Sequence, residues 1–95
     1  MAVTRLVFGD GTQFLLTRKE VIVGREPTND LMLDDPHLSR HHARFDLIDE
    51  RWMLDDMGST LGTTLNGAPV RVPTGLNHGD VIVFGRTIEA RFLND

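Results

Sequence analysis

Short apolar runs alternate with polar positions along the whole chain, broken every few residues by Gly, Asn, Asp or Pro. No segment sustains a helical period, and this pattern predicts strands throughout. The alternation is cleanest in the middle. Ala43, Phe45 and Leu47 point one way and Arg44 and Asp46 the other; Trp52 and Leu54 then point inward, with Arg51 and Asp55 outward. Near the end, Ile88, Ala90 and Phe92 face in while Glu89 and Arg91 face out. A slip of one residue would expose every apolar side chain of a strand, so the buried face fixes the register. Further strands are expected over Val3–Phe8, Thr12–Leu16, Val21–Val23, Leu31–Leu33, Thr63–Leu65, Ala68–Val72, Val81–Phe84 and Thr87–Phe92. The fold class is all-β, a sandwich of two sheets.

The turns punctuate this pattern. Gly9-Asp10-Gly11 reads as a three-residue hairpin loop with glycines available for positive φ. Asn66-Gly67 is a type I′ signal, and Gly85-Arg86, with Gly first, fits a type II′ turn. Three longer irregular stretches remain: 24–30, 34–42 and 56–62. On a scaffold of rigid strands, binding groups sit in such loops.

Ninety-five residues with 40% hydrophobic content suit one domain, 1–95, without an internal repeat or linker. A chain this size hides only about 60–65% of its unfolded surface on folding, leaving little for a deep enzyme cleft as well as a core. The absence of cysteine removes disulfides, a thiolate nucleophile and cysteine–zinc sites, and suits a reducing, cytoplasmic setting. No apolar run is long enough to span a membrane, and Met1–Leu6 lacks the apolar stretch of a signal peptide. A net charge of −4 argues against bulk nucleic-acid binding, which needs a basic footprint. Nine of the ten basic residues are arginines, whose planar fork suits bidentate contact with carboxylate or phosphate.

Arginines or hydroxyls recur in all three long loops. Gly24-Arg25, Ser39-Arg40-His41-His42 and Gly58-Ser59-Thr60 together supply cations, hydroxyl donors and loop N–H groups, the parts of a receptor for a tetrahedral dianion. Gly24 is expected to let the chain turn so that Arg25 reaches inward. Each pair alone is commonplace; the ordered set with β-patterned flanks is specific. Extended by Asn66-Gly67 and Asn77-His78-Gly79-Asp80, the set resembles the forkhead-associated (FHA) domain over roughly residues 6–93.

The resemblance implies a β-sandwich of about eleven short strands that reads phosphothreonine segments made by Ser/Thr kinases. It assigns phosphate contact to Arg25 and Ser39, contact with the phosphate or nearby backbone to Thr60, and loop bracing to His42; Arg40, read from its place beside Ser39, supplies a second cation or reaches the peptide backbone. Gly24 and Gly58 shape the loops, and Asn66 and Gly67 form a turn without ligand contact. Ser59 and residue 61 are expected to meet the peptide. Where the family pattern has an Asn that holds the peptide main chain, this chain has Leu61. That departure leaves two outcomes open: a weaker grip, or an apolar contact beside the phosphothreonine. His37, Leu38 and Glu26 are further candidate readers of flanking residues. The acids Glu26, Asp30, Asp34, Asp35 and Asp56 either compete for the arginines or favour a basic ligand.

Other chemistries fit less well. His37, His41, His42 and His78 lack the helical frame that would put a ligand pair on one face, so no metal is expected. The nucleophile elbow Gly-x-Ser-x-Gly is absent, which argues against a hydrolase. Trp52 lies on an inward face, and Asp10 lacks the repeating acids of a calcium loop. The expectation is a non-enzymatic phosphothreonine-peptide reader without cofactor, nucleic acid or membrane, with other domains of a larger protein as further partners. The alternative is a phosphate-independent interaction or oligomerisation module.

Overall fold

The computed structural model describes residues 3–95, so Met1 and Ala2 of the expected 1–95 domain lie outside the described residues. Its strands are β1 (Arg5–Phe8), β2 (Gln13–Leu15), β3 (Glu20–Gly24), β4 (Leu31–Met32), β5 (Ala43–Ile48) and β6 (Arg51–Asp56). They continue with β7 (Thr63–Leu65), β8 (Ala68–Pro69), β9 (Thr74–Gly75), β10 (Val81–Phe84) and β11 (Ile88–Leu93). One sheet runs β2-β1-β11-β10-β7-β8 and the other β4-β3-β5-β6-β9. The all-β sandwich and the number of strands agree with expectation; β7 and β10 have the expected bounds, the other expected strands differ at one or both ends, and β9 is not marked by the alternation. Ala68–Val72 shortens most, because Pro69 cannot donate to a ladder and suits an edge strand.

Period-two patterning builds the core. Leu6, Val23, Phe45, Leu54, Ile82, Phe84 and Phe92 are fully buried between the sheets. Phe45 and Phe84 meet edge to face across the sandwich, with ring centroids 6.3 Å apart. Leu38, in the irregular stretch 34–42, is also buried. It is an anchor that pins its loop to the core.

Strand direction collects the loops. β3 and β4 are parallel, with Val23 beside Leu31 and Gly24 beside Met32, so the chain leaves both at the same end of the sheet. β5 is antiparallel to β3 and begins at that end; β6 is antiparallel to β5 and finishes there. The segments 25–30, 33–42 and 57–62 therefore emerge together. In the other sheet the β10–β11 turn joins them, since Gly85 N donates to Gly62 O at 2.9 Å.

Three turns need comment. Asn66 and Gly67 have φ of 50° and 87°, the double left-handed pair of a type I′ turn. Gly85 and Arg86 have φ of 59° and 66°, so this turn is of the I′ kind and not II′. Glycine is needed at 85 for a second reason: a Cβ there would sit 2.7 Å from the His37 carbonyl oxygen. The β5–β6 hairpin turns through Asp49 and Glu50, at φ 49° and 64°, without the glycine that such a turn favours.

A left-handed non-glycine residue costs about 1–2 kcal/mol, partly offset in a Gly variant by added unfolded-state entropy. Glu50→Gly is therefore expected to stabilise the fold by about 0.5–1 kcal/mol in thermal or urea denaturation; an unchanged or lowered midpoint would contradict the turn assignment.

Candidate functional site

Two backbone pairings place the first cation and the first hydroxyl side by side. Beyond the β3–β5 ladder, Arg25 N donates to Ser39 O (3.1 Å) and Glu26 N to Arg40 O (3.2 Å). Gly24 allows this approach, because a Cβ on residue 24 would lie 2.2 Å from the Arg40 carbonyl oxygen. Close packing, and no turn through positive φ, is what requires glycine there. Asn29 Nδ2 donates to the same carbonyl at 2.7 Å, tying down the loop that carries Arg25.

His42 joins the second and third of these loops from beneath. Its side chain is fully buried and edge-on to Phe84. The Ser39 amide donates to Nδ1 at 3.1 Å. An amide N–H can only donate, so the imidazole proton sits on Nε2, which donates to the Gly62 carbonyl at 2.8 Å. The 56–62 loop is closed by Asp56, whose carboxylate accepts from Ser59 N (2.9 Å), Ser59 Oγ (2.6 Å) and Thr63 Oγ1 (2.8 Å). Burial opposes its charge, yet the Ser59 and Thr63 hydroxyls and the Ser59 amide outweigh burial and hold the carboxyl below its ordinary value of 3.8. Gly58, at φ 72°, supplies the bend.

These braces leave an open depression of about 450 Å³ lined by Arg25, His37, Ser39, Arg40, Thr60 and Leu61, with Pro36 and the backbone of Leu38 behind them. Arg25 is held at one point only, Nε donating to the Leu38 carbonyl at 3.1 Å, so its terminal nitrogens face the opening unpaired among the described residues. Ser39 Oγ accepts from Thr60 N at 3.0 Å; among the described residues its own proton is donated to nothing. A hydroxyl whose lone pair is occupied by an amide is oriented to donate outward. Neither Arg25 nor Arg40 forms an ion pair among the described residues. Of the five candidate acids, Asp30 is engaged with Arg18, Asp35 with His37 and Asp56 with the hydroxyls, while Glu26 and Asp34 form no ion pair among the described residues and do not line the depression. No acid lines the depression. Two arginines and two hydroxyls facing one opening, with no carboxylate to repel, suit a phosphate dianion.

The remaining candidates lie as follows. Ser59 is turned into the Asp56 network, where its Oγ also accepts from Gly62 N (2.9 Å), and does not line the depression. Leu61 is half-buried on its wall. Asn66 and Gly67 sit in their turn, where Asn66 Oδ1 accepts from Val81 N (2.9 Å) and Nδ2 donates to Asp80 (3.0 Å). The histidines are held separately: His37 by Asp35, His41 by Asn29, His78 by the Asn94 amide. No group of three metal-ligating side chains gathers among the described residues. Sequence reasoning missed Asp56 as the organiser of the third loop, although the Asp-x-x-Ser spacing of an Asx-type turn was visible.

A family profile described as "FHA domain" matches residues 21–85. The oxoglutarate dehydrogenase inhibitor of Corynebacterium diphtheriae is 40% identical over 76 residues, covering 80% of this chain and 52% of that protein. The chain thus spans about half the length of the curated relatives it matches. Mycobacterium tuberculosis EmbR, solved with a low-affinity phosphopeptide, superposes with a TM-score of 0.92 at 29% identity, covering 98% of this chain and 24% of that one. The N-terminal FHA domain of S. cerevisiae RAD53P, solved with a phosphothreonine peptide, gives 0.88 at 26% identity, covering 98% and 94%.

Two outcomes are expected from the braces. His42→Ala strands the Ser39 amide and the Gly62 carbonyl and opens a cavity, lowering stability by about 3 kcal/mol, roughly 10 °C or more in melting temperature. A loss under 1 kcal/mol would contradict its bracing role. Because the Asp56 pKa is lowered on folding, its contribution is present above 3.8 and lost as pH falls through the lower folded value. Melting curves at descending pH should show an acid limb that is shallower in Asp56→Asn.

Proposed function

The chain belongs to the forkhead-associated family, and we propose that it binds phosphothreonine-containing protein segments written by Ser/Thr kinases. The observation that carries this reading is the pairing of unneutralised Arg25 and Arg40 with an outward-donating Ser39 hydroxyl in one depression. In this reading the Arg25 fork takes two phosphate oxygens and Ser39 Oγ–H a third. The Thr60 hydroxyl and Arg40 complete the capture or hold the adjoining main chain. Residues 1–95 act as one binding domain and not an enzyme, without cofactor or metal. Other domains of a longer protein are further partners.

The mechanism is conditional docking. Hydrogen bonds to a charged group contribute about 1.5–3 kcal/mol each, so three exposed ones discriminate phosphorylated from plain peptide by on the order of 100-fold after desolvation. His42 and Asp56 keep those donors in place before the ligand arrives, which lowers the ordering cost. The methyl of threonine adds about 0.8 kcal/mol over serine where it is buried. A kinase writes the anion, the depression holds it, and a phosphatase releases it. A cytoplasmic setting, where ATP-dependent kinases act, fits this reading. None of the described residues forms a helix long and apolar enough to cross a membrane.

Leu61 changes the grip. It cannot hydrogen-bond the peptide main chain, and it adds an apolar wall beside the phosphate. The same departure is what favours phosphate-independent contact as the second reading.

Fluorescence anisotropy with phosphothreonine peptides and their plain twins separates the two. Arg25→Ala and Ser39→Ala should each weaken phosphopeptide binding at least tenfold, in folded protein. Binding should also fall with salt and below about pH 6, where the phosphate loses charge. Binding that ignores phosphate, or survives both variants, would support the second reading instead. Leu61→Asn should tighten phosphopeptide binding about two- to tenfold by restoring a main-chain hydrogen bond.

A further inference from the structure

A larger cavity than the loop depression lies elsewhere. It is an open groove of about 580 Å³ at the flank where the edge strands β2 and β4 of the two sheets fail to meet. Its floor is Phe8, Phe14, Leu31, Leu33 and Ile88, all half-buried and packed against the outside of the core. These come from both sheets, so the groove is core-like surface left uncovered. Its charged lining is Asp10 and Glu89, with no lysine or arginine. Asp10 accepts from both the amide and the hydroxyl of Thr12, which keep it below its ordinary carboxyl value. Glu89 forms no ion pair among the described residues.

The phosphate depression has the opposite character, two arginines and no acid. One carboxylate separates the two. Asp35 accepts from Thr87 Oγ1, which lines the groove, at 3.2 Å, and from the amide and ring of His37, which lines the depression, at 2.8 Å each. Thr87 Oγ1 and His37 thus share one carboxylate, a gap that a few extended residues cover.

We infer that the groove is a second docking site for the same ligand: an aliphatic segment carrying lysine or arginine, a few residues from the phosphothreonine in the partner chain. The inference rests on the phosphate reading above. The apolar floor takes aliphatic side chains, Asp10 and Glu89 take the base, and the phosphate engages the arginines across the Asp35 wall. A ligand with phosphate at one end and a basic aliphatic arm at the other matches the charge of both sites; its reverse matches neither. Joining two weak contacts through a short linker gives an effective concentration in the millimolar range, enough to raise affinity about tenfold or more for an arm that alone binds at roughly 0.1 mM.

The test uses anisotropy with three labelled peptides: a phosphothreonine flanked by Gly and Ser, the same peptide with a Leu/Ile/Lys arm placed about three to ten residues away on either side, and the arm alone. At one spacing the armed peptide should bind at least tenfold tighter than the plain one. Glu89→Lys and Leu31→Gln, with unchanged melting curves, should remove that gain and leave the plain phosphopeptide unaffected. A gain below twofold at every spacing, or one that survives both variants, overturns the groove. So does replacing the arm's lysines with glutamate without loss. If the plain phosphopeptide fails to bind, the phosphate reading falls and the arm alone decides: weak binding lost in Glu89→Lys keeps the groove as a docking site, and none removes it. Self-association in sedimentation that Glu89→Lys abolishes would assign the groove to a second copy and overturn the inference.

Discussion

Two donors converge on the carbonyl of Gly62: the buried Nε2–H of His42 from one sheet and the amide of Gly85 from the other. Through Nδ1, the same imidazole accepts from the Ser39 amide. One ring thus fixes the loop that carries the candidate hydroxyl to the loop that carries Thr60, at the level where the sheets meet. In a small domain such a buried, fully satisfied polar junction acts as geometry more than as net stability, since each bond replaces one to water. Its value is that the donors on the surface stand ready before any ligand arrives.

Around that junction, each loop is held by a different device. Close backbone approach at Gly24 ties Arg25 to Ser39. The apolar anchor Leu38 pins the middle loop from below, and Gly85 leaves room for its backbone. Asp56 gathers Ser59 and Thr63 to shape the third. Asp30, Asp35 and Asp56 are consumed in these and neighbouring contacts, and no acid lines the opening, although the chain as a whole carries a net charge of −4.

Much of this was legible in the sequence, and what was not has physical reasons. Period-two alternation located the strands because burial on one face leaves a direct trace, and Asn66-Gly67 announced its turn because only a few residues tolerate paired positive φ. Asp49-Glu50 makes the same turn without the residues that advertise it. Gly24 was correctly singled out for the wrong cause: the Arg40 carbonyl, sixteen residues on, is what excludes a side chain. Ser59 and Leu38 looked like ligand contacts in sequence, and only the tertiary structure turns one to Asp56 and the other to the core. The groove left no trace at all, since its floor is assembled from three separate segments that meet at the unpaired sheet edges.

The central claim is that the loops at one end form a preorganised receptor for a phosphate dianion. Amide resonances followed during titration with a phosphothreonine peptide test it most directly. Shifts concentrated at Arg25, Ser39, Arg40, Thr60 and Leu61, saturating with the phosphopeptide and absent with its plain twin, are the predicted result. Shifts of equal size with both peptides, or confined to the sheet faces, would contradict it.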